Sequence, residues 1–233
     1  LMRTIGVIGG LSWESSAVYY RLLNEAVRTR RGGLASARLL LWSFDFAEIE
    51  AMQADGDWEG ATRAMCEAGE RLAAGGAELL LIASNTMHKM ADAVAAASGL
   101  PLVHIADATG QAIRQAGCRR PALLATAYTM EQDFYRGRLE ERFGLDVRVP
   151  DAADRQRVHR IIYDELCQGI VRPESKAAYL EIIGRLRAAG ADSVILGCTE
   201  ICLLIGQADL DCPVFDTTGL HAEAAVALAL DGG

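Results

Sequence analysis

The chain has 233 residues, 51% hydrophobic and 23% charged, which is enough apolar material for a buried core and excludes disorder. Its 23 Lys and Arg stand against 31 Asp and Glu, a formal charge of −8, so nucleic acid and anionic membrane are poor partners. No apolar run approaches the ~18 residues of a membrane helix. The opening LMRTIGVIGGLSW lacks the three parts of a signal peptide, and Leu1 before Met2 reads as a cloning remnant. Six cysteines (66, 118, 167, 198, 202, 212) without an export signal point to a reducing cytoplasm. Cys198 and Cys202 lie one helical turn apart, but no second ligand pair accompanies them, so no metal is expected.

Taken in chain order, short apolar runs alternate with longer segments of helical period. Thr4–Ile8 predicts a strand, followed by a glycine turn and a helix over 14–30. Ala37–Ser43 reads as a second strand and Trp58–Ala74 as a helix. Glu78–Ile82 predicts a strand that opens onto Ser84-Asn85-Thr86 and then a helix. Leu102–Ile105 reads as a short strand, with a helix after it to about Ala116. Ala122–Ala125 is a strand, Thr129–Phe143 a helix, and Leu145–Arg148 extended. Helices follow over 151–167 and 173–189. Ser193–Leu196 is a strand that opens onto Cys198-Thr199-Glu200, Val214–Phe215 a last strand and Ala222–Leu230 a closing helix. This alternation predicts an α/β fold of parallel sheet flanked by helices.

An internal duplication accompanies the alternation. TIGVIGG at 4–10 corresponds to PALLATA at 121–127, and ELLLIASNT at 78–86 corresponds to DSVILGCTE at 192–200, at similar offsets. The expected product is two pseudo-symmetric lobes, each a mostly parallel sheet flanked by helices, with the active site in the cleft between them. Residues 1–100 with 213–233 would form the N-terminal lobe and its closing helix, and residues 101–212 the second lobe.

Three strand-end turns can carry chemistry. Gly9-Gly10-Leu11-Ser12 joins a strand to a helix whose first amides suit an anion, or the glycines simply allow tight packing. The spacing does not fit a dinucleotide fingerprint. Ser84-Asn85-Thr86-Met87-His88 offers hydroxyl and amide donors, although such residues also cap helices. Gly197-Cys198-Thr199-Glu200 mirrors it, and a cysteine where a strand meets a helix start can have its thiol pKa pulled below ~8.5.

The residues GVIGGLSWESSAVYY, SNTMHK, LLATAYTM and LGCTEI stand in an order that resembles the aspartate/glutamate racemase family, which works without pyridoxal phosphate. The resemblance spans almost the whole chain. It implies two pseudo-symmetric α/β lobes and a cofactor-independent isomerase that removes and returns the α-proton of an acidic amino acid. Inversion needs a base on one face of the carbon and an acid on the other, which two thiols supply in this family. By this resemblance Cys198 is the second catalytic cysteine, and Ser84 stands where the first is expected. Asn85, Thr86 and Thr199 match carboxylate and amine contacts, Ser12 a substrate-facing turn, and Thr126 and Thr129 a hydroxyl-bearing loop. Glu200 could orient the substrate ammonium or the thiol, or cap a helix, and Gln53 is a candidate for the distal end of the substrate.

The sequence departs from the family pattern at Ser84, a hydroxyl where a thiol is expected. A branch with a hydroxyl residue there and a retained second cysteine favours L-aspartate or L-glutamate, and the Ser84/Cys198 pair fits it. Cys167 occupies a position where some members carry lysine, which leaves Arg172 and Lys176 as nearby cations. Two other readings stand beside the racemase. One is a single-thiol decarboxylase or isomerase of the same superfamily, and the other is a non-catalytic amino-acid-binding protein. The implied partners are an amino-acid substrate and, because family members commonly dimerise, a second copy of the chain.

Overall fold

The computed structural model describes residues 1–231. The chain divides into two compact units, Leu1–His104 with the residues from His221 onward, and Ile105–Leu220.

In the first unit, β1 (Ile5–Gly9) lies between β2 (Leu39–Ser43) and β3 (Leu79–Ile82), all parallel. Side chains alternate along a strand, so each face of the sheet gathers its own core. Ile5, Val7, Leu79 and Leu81 pack with Tyr19, Leu23 and Val27 of α1 (Trp13–Arg31) and with Ala222, Ala225 and Val226 of α10 (Thr217–Leu230). Ile8, Leu80 and Ile82 pack on the opposite face with Ile49 of α2 (Phe46–Asp55), Met65 and Leu72 of α3 (Trp58–Ala74), and Val94 of α4 (Ala91–Ser98). Both faces are covered, which is why these strands read as continuous apolar runs. Each fully buried Ile or Leu contributes about 1.5–3 kcal/mol of transfer free energy.

In the second unit, β5 (Ser193–Leu196) lies between β4 (Pro121–Leu124) and β6 (Val214–Asp216), again all parallel. Its core joins β4 and β5 to α5 (Ile105–Gln115), α7 (Asp133–Phe143), α8 (Ala152–Asp164) and α9 (Pro173–Ala188). The short α6 (Ala127–Glu131) opens from the end of β4.

The two sheets follow one plan. In the first, a single bridge at Leu102 extends the order beyond β3, as β6 extends it beyond β5 in the second. In the second, a bridge from Arg148 to Ala122 stands where β2 stands in the first. Thus β1 corresponds to β4 and β3 to β5, the correspondence that the repeated segments predict.

Several predicted boundaries change. The strand expected over Leu102–Ile105 is only the bridge at Leu102, because Ile105 already begins α5. The helix expected over Thr129–Phe143 is α6 and α7, broken where Gln132 is extended. The helix expected to run to Cys167 ends at Asp164 and is followed by a 3₁₀ turn over Leu166–Gln168. The helix α2 was not anticipated. Its caps are legible, since Asp45 accepts from the Ala47 amide and Gly56 takes the left-handed conformation. Only Ile49 and Gln53 on it are buried, too narrow a stripe to show as a period.

Candidate functional site

Each unit places candidate residues beyond the carboxyl ends of two adjacent parallel strands, where ligands of open α/β sheets bind. In the first unit these are β1 and β3, whose last paired residues are Ile8 and Ile82. Gly10 follows β1 at φ 71, and a Cβ there would strike the Phe44 backbone, so only glycine allows this passage. Its amide donates to Ser16 Oγ, which in turn donates to the Ser12 carbonyl (2.8 and 3.3 Å). Ser12 caps α1 by accepting from the Ser15 amide, and it is buried.

Beyond β3 the Ala83 amide makes the last ladder bond, to the Ile8 carbonyl. The chain then enters a 3₁₀ turn over Thr86–Met90, in place of the α-helical start expected after Ser84. Ser84 is half-buried, and its hydroxyl oxygen accepts from the Met87 amide at 3.2 Å. Among the described residues, none accepts the Ser84 hydroxyl hydrogen. Asn85 and Thr86 beside it are buried, each 5% exposed, a burial polar side chains tolerate when they are bonded. Gln53, at the end of α2, is also buried and donates from Nε2 to Met87 Sδ at 3.2 Å. The structure therefore brings Gln53 against the turn that carries Ser84, Asn85 and Thr86.

In the second unit the corresponding strands are β4 and β5. Thr126 caps α6 by accepting from the Thr129 amide, and its hydroxyl donates to Thr129 Oγ1 at 3.3 Å. Gly197 leaves β5 with its amide bonded to the Leu124 carbonyl. A Cβ on Gly197 would come within 2.9 Å of Ala125 Cβ and Leu123 Cδ1, so its small size lets the two strand ends lie close. Cys198 then stands directly before a 3₁₀ turn over Thr199–Leu203, the counterpart of the turn over Thr86–Met90.

The Cys198 thiol donates to Glu200 Oε2 at 2.9 Å, and Glu200 is buried. Of the roles open to Glu200, this contact is with the thiol. Loss of water around the sulfur, then the Glu200 charge, raise the Cys198 thiol well above its ordinary value, and Cys167 adds to the effect. This corrects the expectation of a thiol lowered by a helix start. A single 3₁₀ turn carries little dipole, and the nearest charge is a carboxylate. Arg172 and Lys176 face Glu165 (4.0 Å) and Asp209 (2.6 Å), so both cations near this segment already have a carboxylate partner.

Sequence reasoning missed Thr218, whose hydroxyl donates to Thr199 Oγ1 at 3.2 Å from the first turn of α10. Its signal is the Thr217-Thr218 pair directly after β6, a third strand end of the same sheet. It also missed that three of the four histidines, His88, His104 and His221, are buried together in the first unit. Among the described residues, no group of three or more His, Cys, Asp or Glu is placed to hold a metal ion, and no helix is long and apolar enough to cross a membrane.

The family model for Asp/Glu/Hydantoin racemase matches residues 8–225. A crystal structure of a candidate Asp/Glu racemase from Yersinia pestis is 52% identical, with a TM-score of 0.91 over 98% of this chain and 100% of that one. The structure of PH1733 from Pyrococcus horikoshii OT3, described as an aspartate racemase homologue, is 35% identical, with a TM-score of 0.84 over 98% and 99% of the two chains. An uncharacterized protein in the pnlA 3′ region of Pectobacterium carotovorum is 35% identical over 106 residues, 46% of this chain and 69% of that protein. The chain belongs to the Asp/Glu/hydantoin racemase family, a family of isomerases.

Proposed function

We propose that the protein is a cofactor-independent racemase of acidic amino acids, with L-aspartate and L-glutamate favoured, that moves a proton at the α-carbon between two side chains. The observation that carries this reading is the matched pair of strand-end turns. β3 runs through Ser84 into one 3₁₀ turn, and β5 runs through Cys198 into another. Each delivers one proton-bearing side chain beside hydroxyl and amide donors.

Glu200 accepts the Cys198 thiol proton along their hydrogen bond, and the thiolate so formed takes the α-proton of the L-substrate. Ser84 returns a proton to the opposite face. A hydroxyl is a weaker acid than a thiol and is hardly ionised near neutral pH, so this half-reaction is slow and the enzyme is biased toward exchange of the L-isomer. The carbanion is stabilised where its carboxylate becomes enolate-like, by fixed donors from Asn85, Thr86 and Thr199. Ser12, Thr126 and Thr129 are assigned further polar contacts with the substrate, and Gln53 its distal end. The side chains supply the protons, so no cofactor is assigned.

The active species is proposed to be a homodimer. Trp13, Tyr20 and Leu41 are large, apolar and exposed (69, 58 and 47%), and together they line one hollow on the first unit.

The test is proton NMR in deuterated water. L-Aspartate or L-glutamate should lose its α-proton signal with the wild-type protein and keep it with Cys198→Ala. Equal exchange in the two proteins would overturn the reading. A malonate that releases carbon dioxide would place the protein with the decarboxylases.

A further inference from the structure

We infer that His88 is a positioning residue for Ser84, through a buried histidine cluster that fixes the backbone of the Ser84 turn. The inference rests on the reading of Ser84 as one of the two proton carriers.

The Ser84 carbonyl is at a junction that ordinary helix bonding leaves unfilled. In a 3₁₀ turn its partner would be the amide three residues on, Met87. That amide donates to the Ser84 hydroxyl instead. In an α-helix its partner would be the His88 amide, but that amide donates to the Asn85 carbonyl at 3.1 Å. The carbonyl is satisfied by the His88 side chain, with Nδ1 at 2.6 Å. A carbonyl can only accept, so Nδ1 carries the hydrogen and this tautomer is set by the contact. One side chain thus replaces a missing backbone bond at the residue that must deliver a proton.

His88 is in turn held. Its ring lies 4.6 Å from that of His104 and 5.4 Å from that of His221, and all three are buried. His221 uses both ring nitrogens. Its Nε2–H donates to the Val103 carbonyl at 2.6 Å, and its Nδ1 accepts from the Tyr19 hydroxyl at 2.7 Å. A ring bonded at both ends cannot rotate, so it forms a fixed wall against His88. The path from Tyr19 on α1 through His221 and His88 to Ser84 lies wholly in the first unit.

The consequence is an asymmetry. Loosening the Ser84 turn should slow inversion, which needs Ser84 as well as the Asn85 and Thr86 donors, more than α-proton exchange with retention, which needs those donors and Cys198 but not Ser84. An asparagine can place an N–H where His Nδ1–H stands, whereas glutamine reaches the position of Nε2. The expected result is therefore that His88→Gln lowers D-isomer formation at least tenfold more than it lowers L-exchange, and His88→Asn restores most of the inversion. Equal effects of the two variants on inversion, or parallel loss of exchange and inversion in both, would overturn the inference.

Two measurements read the turn itself, without turnover. In the wild-type protein, ¹⁵N-histidine NMR should show His88 as the Nδ1–H tautomer, and an Nε2–H tautomer would overturn the inference. Amide hydrogen exchange at Met87 should accelerate in His88→Gln and not in His88→Asn, and equal rates would overturn it. If the wild-type protein exchanges no α-proton, the racemase reading fails, and these two measurements still decide whether His88 fixes the turn.

Discussion

The Cys198 thiol and the Glu200 carboxylate share a hydrogen bond of 2.9 Å inside one 3₁₀ turn. Beside a carboxylate and partly shielded from water, the sulfur is held as the thiol. Removing the charge and keeping the shape should release it. Glu200→Gln is expected to lower the Cys198 pKa, and each unit of lowering raises the thiolate fraction about tenfold below that pKa. The check is the pH dependence of Cys198 alkylation, followed by peptide mass spectrometry. An unchanged profile would mean that the carboxylate does not govern the thiol.

Replacing the weaker partner of the pair should speed the proposed reaction. Ser84→Cys supplies a group more acidic than the hydroxyl by several pKa units, at nearly the same size. Racemisation measured by chiral chromatography is expected to rise at least tenfold, with L-exchange little changed. A fall in both would show that the turn does not accept sulfur.

The buried His221 should make the first unit sensitive to acid. Burial lowers His221 from 6.5 to about 4, only partly offset by its bond to the Val103 carbonyl. The folded state therefore holds this imidazole neutral where the unfolded chain would protonate it. The stability it supports is present above pH 6.5 and is lost as the pH falls toward 4. The difference amounts to about 3 kcal/mol between those limits. Urea unfolding at pH 7.5 and pH 4.5 should show a smaller loss in His221→Leu than in the wild type. Equal losses would remove His221 as the cause.

Gly10 is expected to tolerate no side chain. At φ 71 an L-residue is strained, and its Cβ would collide with the Phe44 backbone, which cannot move aside as a side-chain tip can. Gly10→Ala should cost well over about 1 kcal/mol. Gly56 has a similar φ of 71 but open space around it, so Gly56→Ala should cost less. Thermal unfolding of the two variants side by side gives the comparison.

The exposed aromatic hollow of the first unit should matter only to assembly. Trp13 is 69% exposed at the start of α1. Trp13→Glu places a charge in an apolar contact, so the proposed dimer should weaken at least tenfold in sedimentation equilibrium, with an unchanged circular dichroism spectrum. An unaltered mass distribution would place the interface elsewhere.

What the sequence determined by itself is the alternation of strand and helix, the duplication, and the strand-end turns at Ser84 and Cys198. These are local properties. A strand buried on both faces must be a short apolar run, and a turn at its end must use small or polar residues, so β3 and β5 stand out with their turns attached. Helix α2 escaped because a helix with only Ile49 and Gln53 buried leaves no stripe. Tertiary structure alone decided what each turn residue touches. Ser84 and His88 are four apart, but whether the imidazole meets the hydroxyl or the carbonyl depends on which amide the 3₁₀ turn has already used. His221 is more than a hundred residues from His88, and only the return of α10 to the first sheet brings the rings together. Cys198 looked activated while its neighbours were read as a helix start. Folding puts the Glu200 carboxylate on the sulfur and takes part of its water away, and those two effects outweigh the weak dipole of a single turn.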